Sequence, residues 1–409
     1  MLNFYSFSTP QSITEAVKEN KGGHISHLED GMFEQGFAGL QASIKILKDV
    51  VSGVSSTGKA VPSLNVSTKW DGAPALIAGI HPDTKKFFVA TKSFFSKTSK
   101  VNYTEADIKA NHEGGVVAKL IDALKYLKPL NIRGMVWGDL LFTQGEKKKE
   151  TIDGKSYITF RPNTITYAVP ADSPTGMEVA SAKFGIVFHT KWSGGGDPKE
   201  RGSWSPGVPS MGTSTGVWVV DAKVPTLPKN LLLQTAEEKQ IAVLTKQIEA
   251  EAKNLKSALD SFNKSEASEY VSQYINATVR AGLSNNTTNG LATFIQARLA
   301  TEADALKTEA KKKEKQEKGA RITKYLQAYA SQIDKLFALH ALIAKAKSLV
   351  ISKLSLTQSV STFIADKDGY RPTAPEGFVA VCGKTCSIVK LVDRNEFSKN
   401  NFNLAKEWK

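Results

Sequence analysis

The stretch STKWDGAPALIAGI, residues 67–80, decides how the chain is read. Lys69 closes one strand-like run, Asp71 and Gly72 turn the chain, and a second apolar run follows. An amine held at a sharp turn, with a carboxylate two residues on, can act as a nucleophile once burial or nearby cations lower its pKa, because only the neutral form attacks. Asp-Gly is equally the ordinary chemistry of a hairpin turn. The string therefore takes its meaning from its neighbours.

Outward from it, residues 60 to 220 carry short β-rich runs broken by Gly, Pro and Asn: SLNVSTKW, KFFVATKSFF, RGMVWGDLLF, YITFRPNTITYAVP, FGIVFHTKW and GVWVVDAKV. Between them Val117, Leu120, Leu124 and Leu127 recur at helical spacing and predict a helix packed on one sheet face. After PTLPKN the composition turns to Ala, Lys, Glu, Gln and Leu, as long helices require. Ile241, Leu244, Ile248, Leu255 and Leu259 form one seam; Ile322, Leu326, Tyr329, Ile333, Leu336, His340 and Ile343 form another. Strand-like text returns near 360. The reading is α+β: an antiparallel-sheet domain carrying an inserted helical bundle. Its predicted divisions are 1–59, an N-terminal segment packing on the core; 60–231, the first part of the core; 232–356, the insertion; and 357–409, the last strands of the core.

Lys and Arg number 54 against 40 Asp and Glu in 409 residues, leaving +14 and favouring a polyanionic partner such as nucleic acid. Two cysteines exclude a disulfide-stapled scaffold and a Cys-rich zinc module, and fit a reducing compartment. No apolar run is long enough to span a membrane. The expected location is cytoplasmic, in a host cytoplasm if the protein is phage-encoded.

The order of segments resembles the covalent nucleotidyltransferase superfamily of polynucleotide ligases and messenger-RNA capping enzymes. Lys69, Asp71 and Gly72 match its Lys-x-Asp-Gly motif. FFVATKSFFSK resembles the next element, with Lys92 and Ser93 in place of the usual Ser-Arg pair. RGMVWGDLLF resembles motif III, with Asp139 where most members have Glu, and KFGIVFHT resembles the strand whose aromatic stacks on the base, with Phe188 as candidate and Phe184 behind it. PEGFVAV is similar to motif IV, with Glu376; SIVKLVDR is similar to motif V but supplies only Lys390 of two lysines, leaving Lys384 as the possible second. GHISHLED, KWDG, ITFRPNTITYAVP and KLVDRNEFS add a closer likeness to uncharacterised ligase-like proteins of tailed bacteriophages.

The resemblance implies a nucleotidyltransferase core and an ATP-dependent RNA or DNA ligase. Lys69 would attack the α-phosphate to form a lysyl-AMP, which then activates a 5′-phosphate for sealing to a 3′-hydroxyl in a nick or between single-strand ends. Lys92, Lys384 and Lys390 would meet the phosphate charge. Glu376, with or without Asp139, would hold Mg²⁺ or Mn²⁺, and Asp71 would hold a ribose hydroxyl or orient the lysine. Lysines and metal around Lys69 would depress its pKa. Ser67 and Thr68 stand where adenylating ligases often carry a base-reading Glu, which leaves GTP open. A capping-type nucleotidyltransferase and a catalytically degenerate nucleic-acid-binding phage protein are the alternatives, and oligomeric state is left open.

Other features admit two readings. His24, His27, Glu29 and Asp30 suit a metal or substrate end, or equally a capped helix start. Arg161, Asn163 and Tyr167 suit phosphate contact or plain turn chemistry. The Lys-rich 311–319 stretch suits phosphate contact or a solvated helix face. The Gly-rich 192–207 stretch reads as a lid or linker, and Cys382 and Cys386 as packed side chains.

Overall fold

A computed structural model describes residues 25–55, 64–225, 232–283, 285–357, 360–366, 369–382 and 388–394. His24, Lys384 and Cys386 lie outside the described residues, as does the side chain of Cys382. The chain is a mixed α/β protein that divides into two compact units. One, the sheet unit, comprises residues 67–225 and 357–377; the other, the helical unit, is built from described residues before 67, within 232–356 and after 377.

In the sheet unit, strands β3 (Ala75–Ile80), β4 (Phe87–Ala90), β5 (Met135–Thr143), β9 (Phe184–Trp192) and β10 (Trp204–Pro206) form a sheet of order β10-β9-β5-β3-β4, and β11 (Val217–Asp221) joins β9 in parallel. A second sheet runs β13-β12-β8-β7-β6, from β6 (Lys147–Ile152), β7 (Lys155–Phe160), β8 (Thr166–Pro170), β12 (Ser361–Asp366) and β13 (Gly369–Pro372). Alternation along the first sheet's strands produces two faces. Leu76, Ala78, Val136, Leu140, Phe184, Ile186 and Phe188 lie beneath α2 (Glu105–Asn111) and α3 (Val116–Leu127), which contribute Ile108, Leu120, Ala123 and Leu127. The helix predicted from Val117 to Leu127 is this α3. The opposite face carries Ile77, Phe88, Ala90, Phe94 and Met135 with Phe95, Trp137, Trp192 and Trp204.

The Gly-rich stretch is pinned rather than free. Ser193 N–H donates to Ser203 O (2.9 Å), Trp204 Nε1–H donates to Pro198 O (2.8 Å), and Trp204–Pro206 pairs antiparallel with β9.

The sheet unit also holds α4 (Pro174–Ser181); the helical unit holds α1 (Gly31–Val54), α5 (Thr235–Asn254), α6 (Lys256–Asn263), α7 (Ser268–Arg280), α8 (Thr288–Asp304), α9 (Glu309–Ala328) and α10 (Ala330–Ser355). The sequence predicts an N-terminal segment packed on the sheet core; its described part instead completes the bundle. The reason is its apolar stripe, Met32, Phe33, Leu40, Ile44, Leu47 and Val50, all buried, which needs a helical partner. Phe33 meets Phe262 and Phe337 at 5.7 Å and the His340 ring at 5.5 Å.

Both predicted seams are buried except at Tyr329, which is exposed where the backbone leaves helical geometry and separates α9 from α10. Cations of α9 pair with acids of neighbouring helices and of the turn before α7, Lys315 with Glu302 (2.7 Å), Lys318 with Glu269 (2.7 Å) and Arg321 with Glu266 (3.0 Å). Such exposed pairs contribute little, because solvent screens them. This favours the solvated-face reading of the Lys-rich run.

The predicted C-terminal stretch is divided. Its strands β12 and β13 stay in the sheet unit, whereas in the helical unit β15 (Ile388–Leu391) pairs with β1 (Ser26–His27) on one side and with β14 (Gly377–Cys382) on the other. The order of that sheet is β1-β15-β14-β2, where β2 is Leu64–Lys69. No helix among the described residues is long and apolar enough to cross a membrane.

Candidate functional site

Lys69 ends β2, and the backbone around it is held at Thr68, Asp71 and Ala73. Thr68 N–H donates to Ala222 O (2.7 Å), Asp71 N–H to the Tyr167 hydroxyl (2.6 Å) and Ala73 N–H to Leu140 O (3.0 Å). Trp70 packs on Tyr167 at 4.8 Å. The Asp71 carboxylate is buried and accepts from Asn163 Nδ2 (2.6 Å), Thr164 N–H (2.6 Å) and Ile165 N–H (2.8 Å). Hydrogen bonds to a charged acceptor are worth about 1.5–3 kcal/mol each. Asp71 therefore works as a clamp that ties the lysine turn to the Arg161–Ile165 segment. Of the two roles expected for it, orienting Lys69 agrees with these bonds. The turn-chemistry reading of Asn163 likewise fits its contact.

Gly72 is required by proximity. A Cβ there would stand 2.6 Å from Asp139 Cβ and 2.9 Å from Leu140 O, and neither neighbour is the flexible end of a long side chain. Gly72→Ala is expected to cost about 1–3 kcal/mol and to push Asp139 aside. Chemical denaturation of the variant checks this; a stability equal to that of the parent would contradict the close approach.

Three residues separated by up to 307 positions meet at this turn. The Lys69 ammonium donates to Glu376 Oε1, and the side chains are 27% and 10% exposed. Asp139, on β5 opposite Ala75, lies within electrostatic reach of Lys69 and 3.6 Å from His189 Nε2. Lys92, exposed in a short 3₁₀ turn after β4, acts on Asp139 and His189 from further off. Ser93 hydrogen-bonds within that turn, to Thr91 Oγ1 (2.9 Å).

Burial opposes charge on Lys69, but Glu376, Asp139 and Asp71 outweigh it and hold the ammonium above its ordinary pKa. This corrects the expectation of a depressed value: carboxylates, not lysines, surround it. Burial, with Asp71 and Asp139, pushes Glu376 up to about 7 against the pull of Lys69. Burial also raises Asp139, while His189 and Lys69 oppose the rise.

Glu376 Oε2 is buried and has no hydrogen-bond partner among the described residues. With Asp139 nearby, this supplies hard carboxylate oxygens and an excess of negative charge, a donor chemistry that fits Mg²⁺ or Mn²⁺ keeping several of its waters.

Phe188 does not reach this face. It is fully buried beneath α2 and α3, so stacking on a base would require it to leave the core. Trp137 and His189, with ring centroids 5.6 Å apart, occupy the face that carries Asp139. Lys390 lies on β15 of the helical unit, in register with His27 and Val379. His189 was not anticipated; the signal was a polar residue directly after an apolar alternation in FGIVFH.

The SHLED stretch forms a second cluster, inside the helical unit. Lys347 Nζ donates to both oxygens of Glu29 (2.7 Å each), Arg394 grips both oxygens of Asp30, and His340 Nε2 lies 3.0 Å from Asp30 Oδ1. Glu29, Asp30 and His340 offer ligand atoms within 4.8 Å of one another. Lys347 and Arg394 already neutralise those carboxylates, so the chain's own cations take the place a metal would need.

No curated protein and no solved structure matches the chain. One family model does match, over residues 20–406, and the chain belongs to the family it describes, a family of unknown function (DUF6267).

Proposed function

We propose that the protein is an ATP-dependent polynucleotide ligase that carries the nucleotide covalently on Lys69. The observation that supports this reading is the meeting of Lys69, Asp139 and Glu376, each singled out by the resemblance and each from a different part of the chain, around one partly open turn.

The chemistry asks Lys69 Nζ to bond the α-phosphorus as the bond to the bridging oxygen breaks and pyrophosphate leaves. The ammonium must first shed a proton, and Glu376 Oε1, the acceptor of its hydrogen bond, would take it before the ion binds. Asp71, through the Asn163–Ile165 segment, keeps the lysine at a fixed turn, so less entropy is lost on reaching the attacking geometry. A divalent ion bound by Glu376 and Asp139 would supply Lewis acidity at the phosphate oxygens. In the second step a 5′-phosphate oxygen displaces the amine, which takes its proton back, and a 3′-hydroxyl then expels AMP.

The raised pKa of Lys69 favours one competing reading, a protein that binds nucleic acid without chemistry. A nicked duplex with 5′-phosphate and 3′-hydroxyl ends separates the two. Each strand is varied between ribose and deoxyribose, with ATP or GTP and Mg²⁺ or Mn²⁺ supplied. Sealing of at least one combination is the expected result. Salt-sensitive binding without sealing anywhere in the panel would overturn the ligase in favour of the binding protein.

A further inference from the structure

The pairing of β5 with β9 is not regular. Trp137 stands opposite Thr190 and Gly138 opposite Phe188, so His189 is an extra residue with no partner across the ladder. A bulge of this kind re-aims a side chain and is over-represented beside active sites. The bulge depends on Gly138, since a Cβ there would lie 2.1 Å from Val187 O and 2.7 Å from the Phe188 ring.

The strand that buries Phe188 under the helices thus delivers the next side chain to the opposite face. There His189 Nε2 stands 3.6 Å from Asp139 Oδ2, with the two side chains 27% and 25% exposed. His189 Nδ1 lies 2.6 Å from Thr190 Oγ1. If the Thr190 hydroxyl donates to Nδ1, the ring proton sits on Nε2, the nitrogen 3.6 Å from the carboxylate. Trp137 holds the ring from the side. Among the described residues His189 is the only cationic or imidazole side chain within 4 Å of that carboxylate.

We propose that His189 is a positioning residue for the Lys69 site. Its Nε2–H directs the Asp139 carboxylate, one methylene shorter than the glutamate of the resembled families, so that Asp139 and Glu376 together can hold a divalent ion. The inference rests on the ligase reading. A donor behind a metal-binding carboxylate typically contributes 10- to 100-fold in metal affinity or activity.

The test titrates Mn²⁺ into the whole protein by calorimetry and, in parallel, measures the Mn²⁺ dependence of adduct formation with labelled ATP. His189→Ala is expected to weaken Mn²⁺ binding about 10-fold or more and to raise the Mn²⁺ needed for half-maximal labelling by a like factor. His189→Asn, which keeps an N–H, recovers part of both. Thermal melting identifies any variant that fails to fold, and in that case His189→Gln carries the comparison. Unchanged Mn²⁺ affinity in a folded variant overturns the positioning role while the parent still labels. A parent that neither labels nor binds Mn²⁺ overturns the ligase reading, and the positioning role with it.

Discussion

Lys347→Met is expected to destabilise the helical unit by about 3–5 kcal/mol, the usual result of removing one partner from a buried ion pair. Lys347 is 1% exposed and meets both oxygens of Glu29, itself 1% exposed. Without the ammonium, the carboxylate would stay buried with His27 and Arg394, whose Nε is 4.0 Å away, as its remaining offsets. The variant Glu29→Gln/Lys347→Met removes both charges and should recover most of the loss, because replacing a whole buried pair is often neutral. Far-UV ellipticity followed through urea unfolding checks both variants. A loss under about 1 kcal/mol in the single variant would show that the pair contributes little.

The same cluster sets an acid limit. Burial opposes the Glu29 charge, but Lys347, His27 and Arg394 hold its carboxyl near 2, below its ordinary 4.5. A depressed carboxyl contributes stability that is complete above the ordinary value and is lost as pH falls towards the folded one. His27 acts earlier. Burial, together with Arg394, lowers its pKa well below 6.5, so the neutral ring folds without cost above 6.5 and stability is lost as pH drops below that value. The parent should therefore weaken in two stages, the first beginning near 6.5 and the second below 4.5. In Lys347→Met the unpaired Glu29 is costly while charged, so the deficit against the parent narrows once the pH allows it a proton.

Periodicity was informative where one face of one element decides the outcome. The seam from Ile241 to Leu259 and the stripe Val117 to Leu127 are buried or half-buried much as their spacing implies. It could not assign partners. Arg394 lies 364 residues from Asp30, and Lys347 lies 318 residues from Glu29; spacing along a helix carries nothing about such pairs. Alternation in KFGIVFHT separates two faces without saying which one meets the helices, so Phe188 looked available for stacking when it is core. Nor does it mark the bulge that turns His189 towards Asp139. The turn at Lys69 was legible as Lys-x-Asp-Gly, but its surroundings were not. The acids that raise the lysine's pKa come from β5 and from the residue before β14.

Lys69→Ala is expected to abolish nucleotide transfer to the protein altogether, since it removes the amine that carries the nucleotide. Asp71→Ala should leave the lysine in place but release its turn from Asn163, Thr164 and Ile165, so that transfer slows by about 10²-fold, as a misplacement of roughly 1 Å does. The most direct measurement incubates the whole protein with α-labelled ATP and Mg²⁺ or Mn²⁺, isolates it under denaturing conditions, and maps the acid-sensitive label by peptide. The expected result is a label confined to the peptide containing Lys69, released by pyrophosphate and missing from Lys69→Ala. A label retained by Lys69→Ala, or no label from either ATP or GTP, would contradict it.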